Sequence, residues 1–372
     1  MVQIVEAVSK RQMKEFAKFP IRLYEGNEYY VPSFISDDVN LMNPKKNFAF
    51  TNHIVKCFLA YKDGKVVGRV CAIINNEANA KFNEKMVCFS RIDFVDDKEV
   101  SEALINAVKE FGKEHGMEYI HGPWGFNDTD REGMLTFGFD ECSTYGTAYS
   151  YPYYPEHMDA LGFEKESEWQ EFRLDLEHAD PRFEKVATLL KRGNKYRNVC
   201  EEMSTKKVIK KYGDSFFECY NKAYSKLDNF IPIDEKSKKT VLSQFATLLN
   251  NKFFQIIVND KEEVVAFLIG IPYIGDALRK AKGSTIKALI PILKTIKKPQ
   301  KIELALIGVH PDYQNSGVHV LAIEDFGRHY KEEGIKDSFM DPILTTNLPM
   351  MSSWKGMNKT LRAKRQTYKI HL

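Results

Sequence analysis

Hydrophobic and polar positions in the N-terminal half predict a β-hairpin, a third strand, a helix and a fourth strand. Residues 55–61 and 66–74 are rich in β-branched and aromatic side chains, and a charged turn with an Asp-Gly pair separates them. Residues 87–95 form the next run of this kind. From 98 to 112 the apolar residues recur every three or four positions, which predicts an amphipathic helix, and residues 117–124 predict the strand after it.

The C-terminal half repeats this order of elements. Residues 253–258 and 264–271 predict a second hairpin, 302–309 a strand, 318–331 a helix, and 336–343 the following strand. The repeat is accompanied by short matching patterns, namely Glu110-Phe111-Gly112 against Asp325-Phe326-Gly327 and Asn127 against Asn347. We therefore predict an α/β (α+β) chain built from two copies of one fold.

The polar segment 177–181 predicts the boundary between the two copies. It ends in a proline, which disfavours helix in the residue before it. The expected domains are 1–177 and 182–372. Residues 182–215, just after the boundary, are basic and are predicted to be helical.

The composition fits a folded chain of this size. With 372 residues, 43% of them hydrophobic and 12% aromatic, the chain is long enough for two domains with sizeable cores. Lys and Arg total 54 against 51 Asp and Glu, and this near balance weighs against a nucleic-acid partner. The six cysteines show no C-x-x-C spacing, so neither a metal site nor a redox pair is indicated.

The sequence shows no sign of insertion into a membrane. The first 18 residues carry scattered charges and lack the apolar stretch of a signal peptide. The longest apolar runs, such as 264–271, have the length of a strand. We expect a cytoplasmic protein without a transmembrane segment.

The segment 302–319 carries the most specific chemistry of the chain. It predicts a buried strand, a short polar turn with a single glycine, Gly317, and the start of an amphipathic helix. The first N–H groups of a helix lack partners within the helix, and they form a site for phosphate groups. The turn is therefore a candidate for binding a pyrophosphate.

This segment resembles motif A of the GNAT acyl-CoA-dependent N-acyltransferases. In that family a strand ending in Val-x-Pro-x-Tyr leads into Gln/Arg-x-x-Gly-x-Gly/Ala. Val309, Pro311 and Tyr313 fit the first part, and Gln314 and Gly317 fit the second, while His319 occupies the position of the last small residue. Residues 302–358 carry the specific motifs, and the order of elements extends the resemblance over most of the chain.

The resemblance implies a fold and a co-substrate. Each copy is expected to be a GNAT-like domain with a mixed twisted sheet flanked by helices. Acetyl-CoA or another acyl-CoA is expected to bind the second copy, with no metal. Its pantetheine is expected along the strand at Leu306, Ile307 and Val309, where Gly308 would ease a distortion of the strand. The residues expected to contact the CoA are Ile307, Val309, Gln314, Asn315, Ser316, Gly317, Val318, His319, Asn347 and Trp354.

The acid and base of the reaction are less well marked by the motifs. The resemblance makes Glu303 the candidate base, and the alternative is a solvated glutamate at the start of a strand. Asn347 matches the asparagine of the family's final motif, Asn-x-x-Ala-x-x-x-Tyr, but Trp354 stands where that motif has its tyrosine. The usual tyrosine acid is therefore missing, so either another residue protonates the CoA thiolate or the thiolate leaves unaided.

The first copy is expected to lack a CoA site. Its turn at 94–100 has no Gln/Arg-x-x-Gly pattern, and Asp96, Asp97 and Glu99 would repel a pyrophosphate while serving well as helix caps. Five tyrosines follow at 145, 149, 151, 153 and 154. They are expected either to line an acceptor pocket or to form an interface between domains.

A basic and apolar stretch at 276–301 precedes the motif. It combines eight Lys and Arg residues with one aspartate, and isoleucines and leucines supply an apolar side. One interpretation is a helix that lies on anionic lipid or covers an acidic substrate. The other is a lid packed on an acceptor cleft, with its lysines in water.

The sequence thus predicts an acyl-CoA-dependent N-acyltransferase, most simply an acetyltransferase, in which an amine attacks the thioester directly. The expected acceptor is a small-molecule or peptide amine, and the oligomeric state is open between monomer and homodimer. Two alternatives are a Fem-type transferase that uses aminoacyl-tRNA and a non-catalytic protein that binds CoA or acyl-CoA.

Overall fold

The computed structural model describes residues 1–127, 130–176, 181–227, 230–235, 238, 241–242, 246, 248–354 and 357–372, with only the backbone of Phe48. The predicted boundary segment 177–181 lies outside the described residues except for its proline. Two compact units are present. The first comprises Met1–Gln170, Ile274–Pro291 and Arg362–Leu372, and the second comprises Glu171–Tyr273 and Ile292–Leu361.

The strands include both predicted hairpins. They are β1 (Gln3–Glu6), β2 (His53–Lys62), β3 (Lys65–Asn75), β4 (Met86–Phe94), β5 (Tyr119–Gly122), β6 (Met134–Phe137), β7 (Glu164–Asp175), β8 (Tyr196–Asn198), β9 (Phe254–Asn259), β10 (Val264–Pro272), β11 (Lys301–Val309), β12 (Asp337–Met340), β13 (Ile343–Leu344) and β14 (Asn358–His371). The pairs β2–β3 and β9–β10 are antiparallel hairpins, so these two predictions are confirmed.

The helices include both amphipathic helices predicted after a buried strand. They are α1 (Lys10–Leu23), α2 (Ile35–Leu41), α3 (Asn76–Phe82), α4 (Lys98–Glu114), α5 (Tyr153–Ala160), α6 (Arg182–Arg192), α7 (Thr205–Tyr224), α8 (Gly275–Ala281), α9 (Thr285–Lys297), α10 (His319–Glu332) and α11 (Leu348–Ser353), with 3-10 turns at Phe48–Thr51 and Pro311–Tyr313. The predicted helices at 98–112 and 318–331 correspond to α4 and α10.

The first unit is built on a mixed sheet with the strand order β1-β2-β3-β4-β5-β14. Neighbouring strands are antiparallel except for β4 and β5, which are parallel and are joined by α4. Apolar residues on one face of α4, including Val100, Leu104 and Val108, are wholly buried against this sheet. Asp97 begins α4 as its cap, because its side chain accepts the N–H of Glu99.

The second unit repeats this arrangement. Its sheet has the order β12-β11-β10-β9-β8, and residues 171–175 of β7 lie beside β12. Here β11 and β12 are the parallel pair, and α10 joins them. Leu321, Ile323 and Phe326 of α10 are buried in the core of this unit. The order β2-β3-β4-α4-β5 is therefore repeated as β9-β10-β11-α10-β12, which confirms the internal repeat.

Two predicted elements are shorter in the structure. The helix expected at 182–215 is divided into α6 and α7, because Asn194 adopts a left-handed conformation with φ of 49° and β8 then pairs with β9. The strand expected at 336–343 ends at Met340, just before Asp341-Pro342, since proline has no N–H for a sheet.

Candidate functional site

Among the described residues, no strand pairs with the second half of β11 on the side away from β10, and this side is called its open edge. Its parallel pairing with β12 covers only residues 301–304, whereas β11 continues beside β10 as far as Val309. Leu306 lies opposite Ile269 and Leu304 opposite Gly270, so Ala305 is an extra residue that forms a bulge. Residues 302–304 are buried, while 305–307 are partly exposed. The two strands therefore diverge after Leu304, as expected for a strand that receives pantetheine.

The backbone of Ile307 and Val309 points toward this open edge. The N–H of His310 donates to the Val265 carbonyl on β10 at 2.9 Å, and strand backbone groups alternate in direction from one residue to the next. The groups of Val309 and Ile307 thus face away from β10. The Ile307 carbonyl accepts a hydrogen bond from the Tyr224 hydroxyl at 3.2 Å.

The distortion of the strand lies at Ala305, whereas the sequence-based expectation placed it at Gly308. The glycine serves a different purpose. A Cβ at position 308 would lie 2.4 Å from Cζ of Phe267, so the phenyl ring would have to move. Gly308 therefore leaves room for the Phe267 ring on the neighbouring strand.

The turn after β11 exposes its backbone. Gln314, Asn315 and Ser316 are exposed, and both Asn315 and Gly317 have positive φ, at 66° and 79°. The Ser316 hydroxyl donates to the Tyr313 carbonyl at 2.6 Å and accepts the N–H of Val318 at 3.3 Å. The Ser316 side chain therefore stabilises the conformation of the turn through two hydrogen bonds to its backbone.

Three N–H groups of the turn have no acceptor among the described residues, namely those of Asn315, Gly317 and His319. They lie at the N-terminal end of α10, where the helix dipole favours an anion. A Cβ on Gly317 would lie 3.6 Å from Cγ1 of Val186 and 3.9 Å from Cδ1 of Leu190, both on α6. The helix α6 thus borders the turn on one side.

Val318 and His319 begin α10 in different environments. Val318 is wholly buried and belongs to the core of the second unit. His319 is partly exposed, and its partial burial lowers the pKa of the imidazole. The ring is therefore neutral at neutral pH, and any attraction of an anion to this turn comes from backbone N–H groups.

Glu303 is wholly buried on β11, opposite Ile271 on β10 and Phe339 on β12. The alternative of a solvated glutamate at the start of a strand is therefore wrong. Glu303 lies two residues before the bulge at Ala305.

Asn347 and Trp354 lie at the two ends of α11. The Asn347 side chain accepts the N–H of Met350 at 3.2 Å and so caps the helix. Trp354 is 1% exposed and lies in the hydrophobic core of the second unit. Its indole N–H has no acceptor among the described residues. Both positions have a structural role that the sequence did not reveal.

Sequence reasoning missed Tyr224, Val186 and Leu190. Tyr224 ends α7 and reaches β11 across 83 residues of sequence. The other two lie on α6. Their positions in the sequence do not indicate which element they contact. No local pattern links these residues to the motif, because their proximity arises from the packing of α6 and α7.

The equivalent turn of the first unit is anionic. The carboxylates of Asp97 and Glu99 bind the Lys62 ammonium at 2.6 and 2.9 Å. The hydrogen bond to Lys62 lowers the pKa of both acids, so they are ionised at neutral pH. The described residues include no group of three or more His, Cys, Asp or Glu placed to hold a metal ion. No helix in the described part of the chain is long and apolar enough to cross a membrane.

Comparison with known sequences gives distant relatives. No family model matches the chain. Protein YghO of Escherichia coli (strain K12) is 26% identical over 358 residues, covering 92% of this chain and 88% of that protein. The bacterial ceramide synthase of Caulobacter vibrioides is 22% identical over 322 residues, covering 85% and 82%.

Comparison with solved structures gives the fold. A tandem GNAT protein from the clavulanic acid biosynthesis pathway aligns with a TM-score of 0.59 at 10% identity, over 100% of this chain and 98% of that one. A GCN5-related N-acetyltransferase from Sphaerobacter thermophilus aligns with a TM-score of 0.51 at 10% identity, over 100% and 95%. The chain therefore has the GNAT fold in its tandem form.

Proposed function

We propose that this tandem-GNAT-fold protein is an acyl-CoA-dependent N-acyltransferase whose second unit binds the acyl-CoA. The observation that carries the proposal is the combination of an open β11 edge with a turn of unbonded N–H groups directly after it. Pantetheine has amide groups that pair with an exposed strand edge, and a pyrophosphate suits the N-terminus of a helix. A single ligand that contains both groups in this order is coenzyme A.

In this proposal the backbone of Ile307 and Val309 binds the pantetheine amides, and the N–H groups of Asn315, Gly317 and His319 bind the pyrophosphate. The exposed side chains of Gln314 and Ser316 lie beside the phosphates. Val318, being buried, fixes the first turn of α10. Asn347 and Trp354 act indirectly by holding α11.

The reaction is a direct transfer. The acceptor nitrogen attacks the thioester carbonyl, a C–N bond forms, the C–S bond breaks, and the nitrogen loses a proton. A thiol with an ordinary pKa of about 8.5 is an acceptable leaving group without an acid. This removes the need for the tyrosine that Trp354 replaces. Glu303 is the proposed proton acceptor, because it is the carboxylate buried beside the bulge.

For the acceptor we propose an amine that carries a long apolar chain. A ceramide is the amide of a fatty acid with a long-chain amino alcohol, and one relative is named as a bacterial ceramide synthase. The helix α9 adds support, since Ile286 and Ile290 on it are 89% and 65% exposed. A water-soluble amine alone would give no reason for such a surface.

The test is thiol release from acyl-CoA in the presence of amines. Acetyl-CoA and palmitoyl-CoA are each incubated with a long-chain amino alcohol, with a short polar amine, and with a peptide that has a free N-terminus. We expect thiol release that depends on the amine and is fastest with the long-chain amino alcohol. The amide product is identified by mass spectrometry.

The other outcomes separate the alternatives. CoA binding without thiol release for any amine would overturn transfer and leave a CoA-binding protein. Absence of both CoA binding and thiol release would overturn the assignment of β11 and the following turn as a CoA site. Transfer from aminoacyl-tRNA would then be the reaction to measure.

A further inference from the structure

The first unit contains a cavity of about 70 Å³ that no part of the proposed CoA site uses. A single water needs roughly 10–15 Å³ of such space, so the cavity has room for a group of several atoms. Its charged and hydroxyl-bearing lining includes Tyr30, Asp38, Arg69, Arg91, Asp93 and Arg131. So many ionisable groups around one buried space are unusual for a cavity that only results from imperfect packing.

The cavity lies where β4 diverges from β5. The parallel pairing of these strands covers residues 86–88, whereas β4 continues to Phe94. Between Ser90 and Asp93 the strand contains one extra residue relative to β3, and Arg91 there has φ of 47°. A non-glycine residue at positive φ is uncommon and is maintained only by its surroundings. The bulge brings Arg91, Ile92 and Asp93 into the wall of the cavity.

Most charges in the wall are neutralised by direct contacts. Arg69 donates from Nε to Asp93 at 2.8 Å and from Nη1 to the Phe16 carbonyl at 2.8 Å. Arg91 binds both carboxylate oxygens of Asp130 at 2.8 and 3.1 Å. The charges within these two pairs are therefore balanced.

Asp38 is different. It is 9% exposed, and its nearest cationic atoms are Nη1 of Arg69 at 3.8 Å and Nε of Arg91 at 3.9 Å. Both distances exceed that of a hydrogen bond. Within the described residues its carboxylate accepts no hydrogen bond, although it lines the cavity. A buried carboxylate without hydrogen-bond donors is costly unless a further group supplies them.

Tyr30 supplies a second incomplete group. It is 8% exposed, it lines the same cavity, and its hydroxyl has no hydrogen-bond partner among the described residues. Its ring is fixed by Tyr24, whose centroid lies 4.5 Å away. Two oriented polar groups, one an anion and the other a hydroxyl, thus face one small space.

We infer that this cavity binds the head of a small amino alcohol, with the primary ammonium on Asp38 and the hydroxyl of the neighbouring carbon on Tyr30. An apolar group would leave both polar groups unbonded. All the residues involved belong to the first unit, and binding here does not require CoA on the second.

The test is calorimetric titration of the full chain with 2-amino-1,3-propanediol. Propylamine lacks the hydroxyls, glycerol lacks the amine, and serine replaces one hydroxyl carbon by a carboxylate. We expect saturable binding of the aminodiol and binding at least tenfold weaker for propylamine and glycerol. Asp38→Asn and Tyr30→Phe should each weaken aminodiol binding at least tenfold.

Tyr149→Phe is the matched control. Tyr149 lines the same cavity, but its hydroxyl donates to the Phe139 carbonyl at 2.9 Å, so its proton is already used. This variant should bind the aminodiol like the parent. Thermal unfolding of each variant without ligand shows whether it folds. If Asp38→Asn does not fold, Tyr30→Phe alone tests the contact.

Several results would overturn the inference. Absence of saturable binding would leave a cavity that holds only water. Equal binding of propylamine or glycerol, or tighter binding of serine than of the aminodiol, would contradict the proposed ligand. Folded Asp38→Asn and Tyr30→Phe variants that bind the aminodiol like the parent would contradict the proposed contacts. CoA titration of the same preparations separates a failure here from a failure of the proposed function.

A second observation, which does not involve the cavity, concerns the surface of α9. Four large aliphatic side chains on this helix are exposed: Ile286 by 89%, Leu289 by 56%, Ile290 by 65% and Leu293 by 57%. Their spacing places them on one helix face. An exposed apolar face of this size on a folded chain indicates a surface that binds a partner or a membrane.

The charges beside this face indicate what covers it. Lys287, Lys294, Lys297 and Lys298 are exposed and form no ion pair with any described residue. Between Asp276 and Glu303 the sequence contains no acidic residue. A helix with an apolar face bordered by lysines is suited to the interface of an anionic bilayer. We propose that α9 docks on such a lipid surface.

The test is sedimentation with vesicles. We expect the protein to pellet with phosphatidylcholine vesicles that contain a quarter phosphatidylglycerol, and at least tenfold less with pure phosphatidylcholine. The double substitution Leu289→Glu and Ile290→Glu should abolish pelleting. Leu348→Glu, at a residue 71% exposed outside α9, should not.

Two outcomes would overturn the docking proposal. One is equal pelleting of the parent and the double variant. The other is that the parent self-associates and does not bind vesicles, while the double variant is a monomer. This result would mean that a second copy of this chain covers the apolar face of α9.

Discussion

Gly317→Glu is expected to abolish CoA binding, with a loss of at least about 100-fold, or about 2.7 kcal/mol. Gly317 has φ of 79°, a conformation that costs a side-chain-bearing residue about 1–2 kcal/mol. The new Cβ would lie 3.6 Å from Cγ1 of Val186, an ordinary contact, so the substitution adds a charge beside the turn without a clash at the Cβ. Its carboxylate would then oppose a pyrophosphate at the N–H groups of Asn315 and His319. Calorimetric titration with CoA and acetyl-CoA measures the effect.

Gly334→Glu is the control for this experiment. Gly334 follows the same helix at its other end, has φ of 63°, and would place its Cβ in open space. The substitution imposes a similar backbone strain and the same charge without touching the turn. We expect normal CoA binding and a similar loss of stability. Equal CoA affinity of Gly317→Glu and the parent would overturn the assignment of the turn.

Trp354→Ala is expected to destabilise the second unit by about 3–5 kcal/mol, the usual cost of deleting a buried tryptophan side chain. Trp354 is 1% exposed and lies in the same core as Phe326 and Leu321 of α10. Its loss removes packing beneath the helix that begins at the proposed pyrophosphate turn. Urea titration, followed by far-ultraviolet circular dichroism, measures the change in the free energy of unfolding.

Trp354→Phe distinguishes packing from a role at the ligand. The indole N–H of Trp354 has no acceptor among the described residues, so its removal forfeits no hydrogen bond there. We expect a cost of less than about 2 kcal/mol and unchanged CoA affinity. If Trp354→Phe kept its stability but lost CoA binding, the indole would act on the ligand, as its place in the final motif implies.

Much of the fold was predictable from local patterns. The charged Asp-Gly turn between two β-rich runs predicts the hairpin β2–β3, and the regular apolar spacing from Val100 to Phe111 predicts α4. These signals are reliable because a hairpin turn and one buried helix face each depend on neighbouring residues. The same holds for β11 and α10, and with them for the order of elements that repeats.

The candidate site was predictable only where it is contiguous in sequence. The turn 314–319 follows its strand directly, so its position before α10 needs no distant contact. The bulge at Ala305 was not predictable, since it is defined by the register of β11 against β10. The burial of Glu303 and Trp354 likewise depends on what packs over them, and their motif positions carried no information about it.

By itself the sequence determined the elements, their repetition and the position of the polar turn before α10, because these follow from dihedral preferences and periodicity over a few residues. The tertiary structure alone decided that 274–291 and 362–372 belong to the first unit, and that Asp38 and Tyr30 face one cavity. Asp38 on α2 meets Arg69 and Arg91 on β3 and β4 only after the chain has folded. Such contacts are fixed by packing between residues distant in sequence, and no local pattern records them.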